Sequence, residues 1–199
     1  MTEHAVPLPP SGSITTTASS RLWQPIALRS VLTLAFGLLT VFWGAPDVVG
    51  MSLLLALYLA AVAAAQFWFV RRLALPAAGS RGVALLVPAA LAAVAAVVIF
   101  FSTNESAAGW LGGTALVLLG VGELFAALSS RGRFALRSDW MISAAIGLAT
   151  GILLPFFIPL GAHALLGVAG GGALMTGALW LLSALSLRHD ARKPAKAVN

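Results

Sequence analysis

Glu123 and Arg29 are the two side chains whose chemistry is most at odds with their surroundings. Glu123 interrupts the run Leu118-Leu119-Gly120-Val121-Gly122-Glu123-Leu124-Phe125-Ala126, eight residues before Arg131, roughly 12 Å along a helix at 1.5 Å per residue. Arg29 interrupts Ile26-Ala27-Leu28-Arg29-Ser30-Val31-Leu32 at a similar depth, counted from the other end of its own run. An ionisable group inside hydrocarbon marks a functional site by default. Two readings are open for Glu123: a carboxylate linked to proton or cation movement, or a structural group paired with Arg29. The matched depths predict a Glu123–Arg29 ion pair. Unpaired, Arg29 would snorkel toward the headgroups.

His163 is the third candidate, the one histidine away from both ends of the chain. Imidazole is the side chain whose charge ordinarily changes between about pH 5 and 8, so His163 is a candidate pH-sensing residue, against the plainer reading of an interfacial one. Ser138 and Asp139 suit a helix N-terminus, where free N–H groups and the dipole favour oxygen atoms and negative charge. Gln66 reads as a packing residue able to hydrogen-bond to a neighbouring helix. Gly109–Gly113, Gly147–Gly151 and Gly167–Gly171 each set two glycines on one helix face, which lets backbones approach closely. Pro88 and Pro155 fall inside apolar runs and predict bends. No metal-ligand spacing, phosphate loop or nucleophile–histidine pair is present, so neither a catalytic residue nor a bound metal or cofactor is expected, and the chain reads as non-enzymatic.

The elements that position these groups follow from composition. Of 199 residues 60% are hydrophobic and 9% charged, with a mean hydropathy of +0.98; soluble domains carry about 25% charged residues. Such a chain cannot cover a water-facing surface. Six apolar runs lie at about 26–44, 48–70, 83–101, 107–128, 140–160 and 163–187, each near the ~20 residues a membrane helix needs. Helices are the open-chain way to satisfy backbone polar groups in hydrocarbon, and the runs lack the alternation of barrel strands. The expected fold is all-α: a polytopic membrane domain over 25–188. Residues 1–24, rich in Pro, Ser and Thr, are expected to be a disordered tail, and 189–199 a basic one. The absence of cysteine excludes disulfides and thiolate metal sites.

Charge sets the orientation. The twelve basic residues are Arg21 and Arg29; Arg71, Arg72 and Arg81; Arg131, Arg133 and Arg137; and Arg188, Arg192, Lys193 and Lys196. All fall on one side of a six-span threading, while the opposite loops carry only Asp47 and Glu105. The positive-inside rule places the basic side, and both termini, in the cytoplasm. The partner expected is the lipid bilayer rather than nucleic acid, with self-association through glycine-rich faces as a further option.

The chain also repeats. Ala127-Leu128-Ser129-Ser130-Arg131 recurs as Ala184-Leu185-Ser186-Leu187-Arg188, a shift of 57 that also carries Gly113 to Gly170 and Gly120 to Gly177. Gly37 to Pro46 and Gly151 to Pro159 share a similar spacing. The reading is three similar helical hairpins, related by an axis along the membrane normal. Inverted repeats, common in secondary transporters, need an odd number of spans per unit.

Trp23 and Arg29 opening the first helix, Phe36-Gly37-Leu38-Leu39 within it, Pro46 at the outer turn, and the later Gly147-Leu148-Ala149-Thr150-Gly151-Ile152-Leu153-Leu154-Pro155 and Gly177-Ala178-Leu179-Trp180 together resemble the HdeD family of small six-span bacterial membrane proteins. The resemblance covers roughly residues 21–190, and the middle hairpin departs from it by lacking the loop proline. It implies residence in the bacterial cytoplasmic (inner) membrane and a contribution to acid or envelope stress tolerance, and it carries over no active site. The alternative is a small transporter or channel for protons or a small solute that uses Glu123.

The threading is testable because the chain has no native cysteine. Glu105→Cys should react with a membrane-impermeant maleimide added to intact spheroplasts, and Arg133→Cys only after lysis. The reverse labelling pattern refutes the orientation.

Overall fold

Apolar side chains in unbroken runs leave each segment only its own backbone as a hydrogen-bonding partner, and the chain answers with helices. The computed structural model describes residues 11–73, 79–129 and 136–192. Six α-helices occupy them: α1 Ser11–Phe42, α2 Val48–Leu73, α3 Ser80–Ser102, α4 Glu105–Leu128, α5 Arg137–Leu153 and α6 Ala162–Arg192. A 3-10 segment, Leu154–Leu160, joins α5 to α6. The fold is all-helical, with six helices long and apolar enough to cross a membrane, as a multi-pass membrane protein requires; the described residues contain no strand.

The connections assigned to the outer side are short and capped. Asp47 heads α2, its Oδ1 accepting the Gly50 N–H at 2.8 Å. Asn104 heads α4, its Oδ1 accepting the Ala107 N–H at 2.7 Å, after Thr103 ends α3 in the left-handed region (φ 40°). Gly161, at φ 85°, makes the turn into α6, a conformation glycine adopts without a Cβ clash.

Several boundaries differ from the sequence reading. Helix α1 begins at Ser11, within the stretch expected to be a disordered tail; a membrane helix already formed is a nucleus to which each further residue adds one hydrogen bond. Residues 1–10 of that tail lie outside the described residues. Helix α6 likewise runs through His189 and Asp190 to Arg192, and 193–199, with Lys193 and Lys196, lie outside, as do Arg131 and Arg133. The fifth span is helical from Arg137 but changes to 3-10 geometry at Leu154. Pro155 thus does more than bend a helix, because it removes the N–H that would continue the α-ladder.

The packing is threefold in plan. Helices α2, α4 and α6 touch one another pairwise, whereas α1, α3 and α5 touch only their even-numbered neighbours. Burial agrees: 50, 56 and 50% of the apolar stretches of α2, α4 and α6 are buried, against 39, 33 and 28% in the first, third and fifth spans. An inner triangle of even helices is therefore ringed by odd ones. The most extensive contacts join different hairpins: α1 with α6, α4 with α5, and α2 with α3. The ring closes because the first helix of the chain docks on the last.

Glycines set how closely those seams approach. A Cβ on Gly113 would lie 2.6 Å from the Gly151 carbonyl oxygen of α5, and one on Gly170 would lie 1.8 Å from Thr40 Oγ1 of α1. Gly120 meets the Ala144 carbonyl of α5, and Gly177 meets Leu34 of α1. The 57-residue shift therefore maps the α4–α5 seam onto the α6–α1 seam. In the first unit the same stations hold Ala56 and Ala63, both buried, where α2 and α3 border an open apolar groove of about 490 Å³.

Gly109–Gly113 and Gly147–Gly151 are used within the bundle, Gly109 against Ile158. A Cβ on Gly167 or Gly171, by contrast, meets nothing within 4 Å. Gly113→Ala should therefore cost about 1–3 kcal/mol by overpacking against backbone that cannot yield, read as a lower unfolding midpoint in detergent micelles. Gly167→Ala should be neutral or stabilising, by up to about 1 kcal/mol. Equal effects would refute the assignment of these faces.

Candidate functional site

Two apolar clusters divide the interior. One spans Phe36, Leu55, Leu59, Ala92, Leu116 and Leu165; the other holds Ile26, Phe69, Leu85, Ala126, Trp140 and Ala184. At their junction the chain buries Glu123 of α4 (3% exposed), Gln66 of α2 (1%) and Trp180 of α6 (1%). Arg29 reaches them from α1, with its side chain 12% exposed.

The guanidinium uses all three. Its Nη2 pairs with Glu123 Oε1, and its Nη1 donates to Gln66 Oε1 at 3.0 Å. Its Cζ stands 4.9 Å from the centroid of the Trp180 ring, inside the ~6 Å reach of a cation–π contact. Charge, dipole and quadrupole all act on one planar cation. The indole is in turn oriented from the far side, where Trp180 Nε1 donates to Ser143 Oγ at 3.1 Å. Two charges that would each be costly in hydrocarbon thus neutralise each other within hydrogen-bonding contact.

The three inner residues are equivalent. Positions 66, 123 and 180 are separated by 57 and again by 57, the shift that relates the hairpins. Glutamine, glutamate and tryptophan occupy one station on the three inner helices. The position of Arg29, shifted by 57 and by 114, falls on Leu86 and Ser143. The scaffold is threefold and its polar centre is not.

Sequence reading places Glu123 and Arg29 together, and the structure brings them into direct contact. Gln66 reads from sequence as packing, and Trp180 figures there only within the Gly177–Trp180 segment; both belong to the site. Applying the 57-residue shift to Glu123 would have found them. His163 is not brought to the site: it is exposed near the other end of α6, 17 residues before Trp180 and so roughly 25 Å along the helix. Asp139 does not cap α5, whose N-cap is Leu136. It lies in the first turn, where its Oδ2 accepts from Ser183 Oγ of α6 at 2.8 Å, tying the two helices of the third hairpin.

The site is dry. The crevice beside Arg29, between Pro25, Ile26, Phe69 and Trp180, leaves no room for a water-sized sphere. Among the described residues, larger grooves run between α2 and α3, between α4 and α5, and where α5 meets the end of α6, and none of these three has Arg29, Gln66 or Glu123 in its wall. Among the described residues no three His, Asp or Glu side chains converge as a metal site would require. No protein-family model, curated protein or solved structure matches the chain.

Removing one partner of a buried ion pair leaves the other charge uncompensated and costs about 3–5 kcal/mol. Arg29→Met and Glu123→Gln should each lower the unfolding midpoint strongly, and the double variant should lose less than the sum. Additive losses in that double-mutant cycle would show that the two side chains are not energetically coupled.

Proposed function

We propose that this chain is a non-enzymatic, HdeD-like protein of the bacterial cytoplasmic membrane, with both termini in the cytoplasm, that contributes to acid or envelope stress tolerance. The observation that supports this reading best is the packed centre: Glu123 is buried and paired with Arg29, and the crevice beside Arg29 leaves no room for a water-sized sphere. A protein that adds tolerance without leaking protons must keep its own interior sealed, and this one satisfies its buried charge internally. The hairpin repeat favours the same reading. Two-span units all insert the same way round, so they do not form the inverted pair on which rocking transporters are built.

In proteoliposomes carrying a pH gradient, the parent protein and Glu123→Gln should dissipate the gradient no faster than protein-free vesicles. Flux through the parent that Glu123→Gln abolishes would favour the transporter reading and overturn this one. In the source bacterium, deletion should lower survival of an acid shock, and the parent gene should restore it. Survival equal to the undeleted strain would remove the stress role while leaving the sealed-bundle description intact.

A further inference from the structure

Gln66, Glu123 and Trp180 have the composition of a receptor for a planar cation. A carboxylate supplies charge and an amide carbonyl supplies a second acceptor. An indole supplies an aromatic face, and each is at least 97% buried. Guanidinium is the cation whose shape suits this set, since it is flat, weakly hydrated and able to donate to two acceptors while stacked on a ring. An ammonium ion is a compact, strongly hydrated point charge and does not combine those contacts. The three walls come from three different helices, and each has a contact outside α1: Trp180 is oriented by Ser143, Glu123 lies beside Gly122, which packs against the Ala84 carbonyl of α3, and Gln66 lies one turn from Phe69, which packs edge-on against Trp140.

We propose that the 66–123–180 station is a guanidinium-binding site, and that Arg29 is its tethered occupant, holding α1 to the inner triangle by binding there as a ligand. A side chain held in place by its own helix acts at an effective concentration far above millimolar, so the free ion at low millimolar concentration does not compete in the parent protein. Removing the Arg29 side chain vacates a space of guanidinium shape. It also opens the crevice between Pro25, Ile26, Phe69 and Trp180 as a route in. The ligand class is therefore guanidinium and small solutes that carry one.

The experiment uses the full chain in detergent micelles, with guanidinium chloride at low millimolar concentration as probe and sodium and methylammonium chloride at the same ionic strength as controls. Arg29→Ala should gain thermal stability from guanidinium, saturably and by about 2–4 °C, with a change in tryptophan emission over the same range. The parent should not respond, nor should Arg29→Ala combined with Glu123→Gln. A response of Arg29→Ala no larger than with methylammonium, or one kept in the double variant, overturns the proposal. If Arg29→Ala does not fold unaided, the readout becomes the yield of monodisperse protein prepared with and without guanidinium. Recovery with guanidinium supports the site, and no recovery while the double variant folds overturns it.

Discussion

A guanidinium inside a low-dielectric bundle has to find its counter-charge and its acceptors within the same molecule, and Arg29 draws on three helices to do so. That requirement fixes more than one ion pair. It sets the rotation of α1 about its own axis, since only one face can present Arg29 to Glu123 and Gln66. It places α1 against α6, because the indole of Trp180 lies under the same cation. The most extensive helix contact in the molecule, α1 with α6, is also the one that closes the ring between the two ends of the chain. Arg188 over the Trp23 ring, at 5.5 Å, repeats the cation–aromatic contact between the same helices nearer their basic ends.

Threefold scaffolds meet a difficulty at their axis that this sequence resolves by breaking the repeat. Three glutamates at one buried station would repel one another, and three glutamines would leave a guanidinium without a counter-ion. One carboxylate, one amide and one indole hold a single cation with net neutrality. The counterparts of Arg29 are correspondingly uncharged: Leu86 joins the apolar packing, and Ser143 orients the indole. Away from the axis the repeat survives, in Gly113 with Gly170 and Gly120 with Gly177, because close helix approach asks the same thing of each seam.

The number of helices and the Arg29–Glu123 contact could both be read from the residues, since each rests on a large free-energy term. Apolar runs have no alternative in hydrocarbon, and two opposite charges at one depth have few other partners. What could not be read rests on smaller terms or on orientation. Helix ends are decided by single hydrogen bonds, so the extra turns at Ser11 and at Arg192 were invisible to a hydropathy pattern. Gly167–Gly171 is the same motif as Gly109–Gly113, yet one faces outward and the other inward; that depends on neighbours the local sequence does not name. Gln66 was legible in principle, through the 57-residue shift, but its type alone suggested ordinary packing.

Prolines and glycines act together around α4 in a way neither residue shows alone. Pro88 has no N–H for the carbonyl of Ala84 four residues earlier, and Pro155 has none for that of Gly151. Both carbonyls come against glycines of α4: a Cβ on Gly122 would lie 2.2 Å from the Ala84 oxygen, and one on Gly113 would lie 2.6 Å from the Gly151 oxygen. A carbonyl released from its helix in hydrocarbon needs a close polar or weakly polar neighbour, and the bare Cα–H face of a glycine offers one at short range. The prolines of α3 and of the fifth span, and the glycines between them, therefore form matched pairs on the two sides of α4. The helix clamped in this way is the one that carries Glu123. Close backbone approach thus holds α4 on both flanks, at Gly122 next to Glu123 and at Gly113 roughly 15 Å further along the helix.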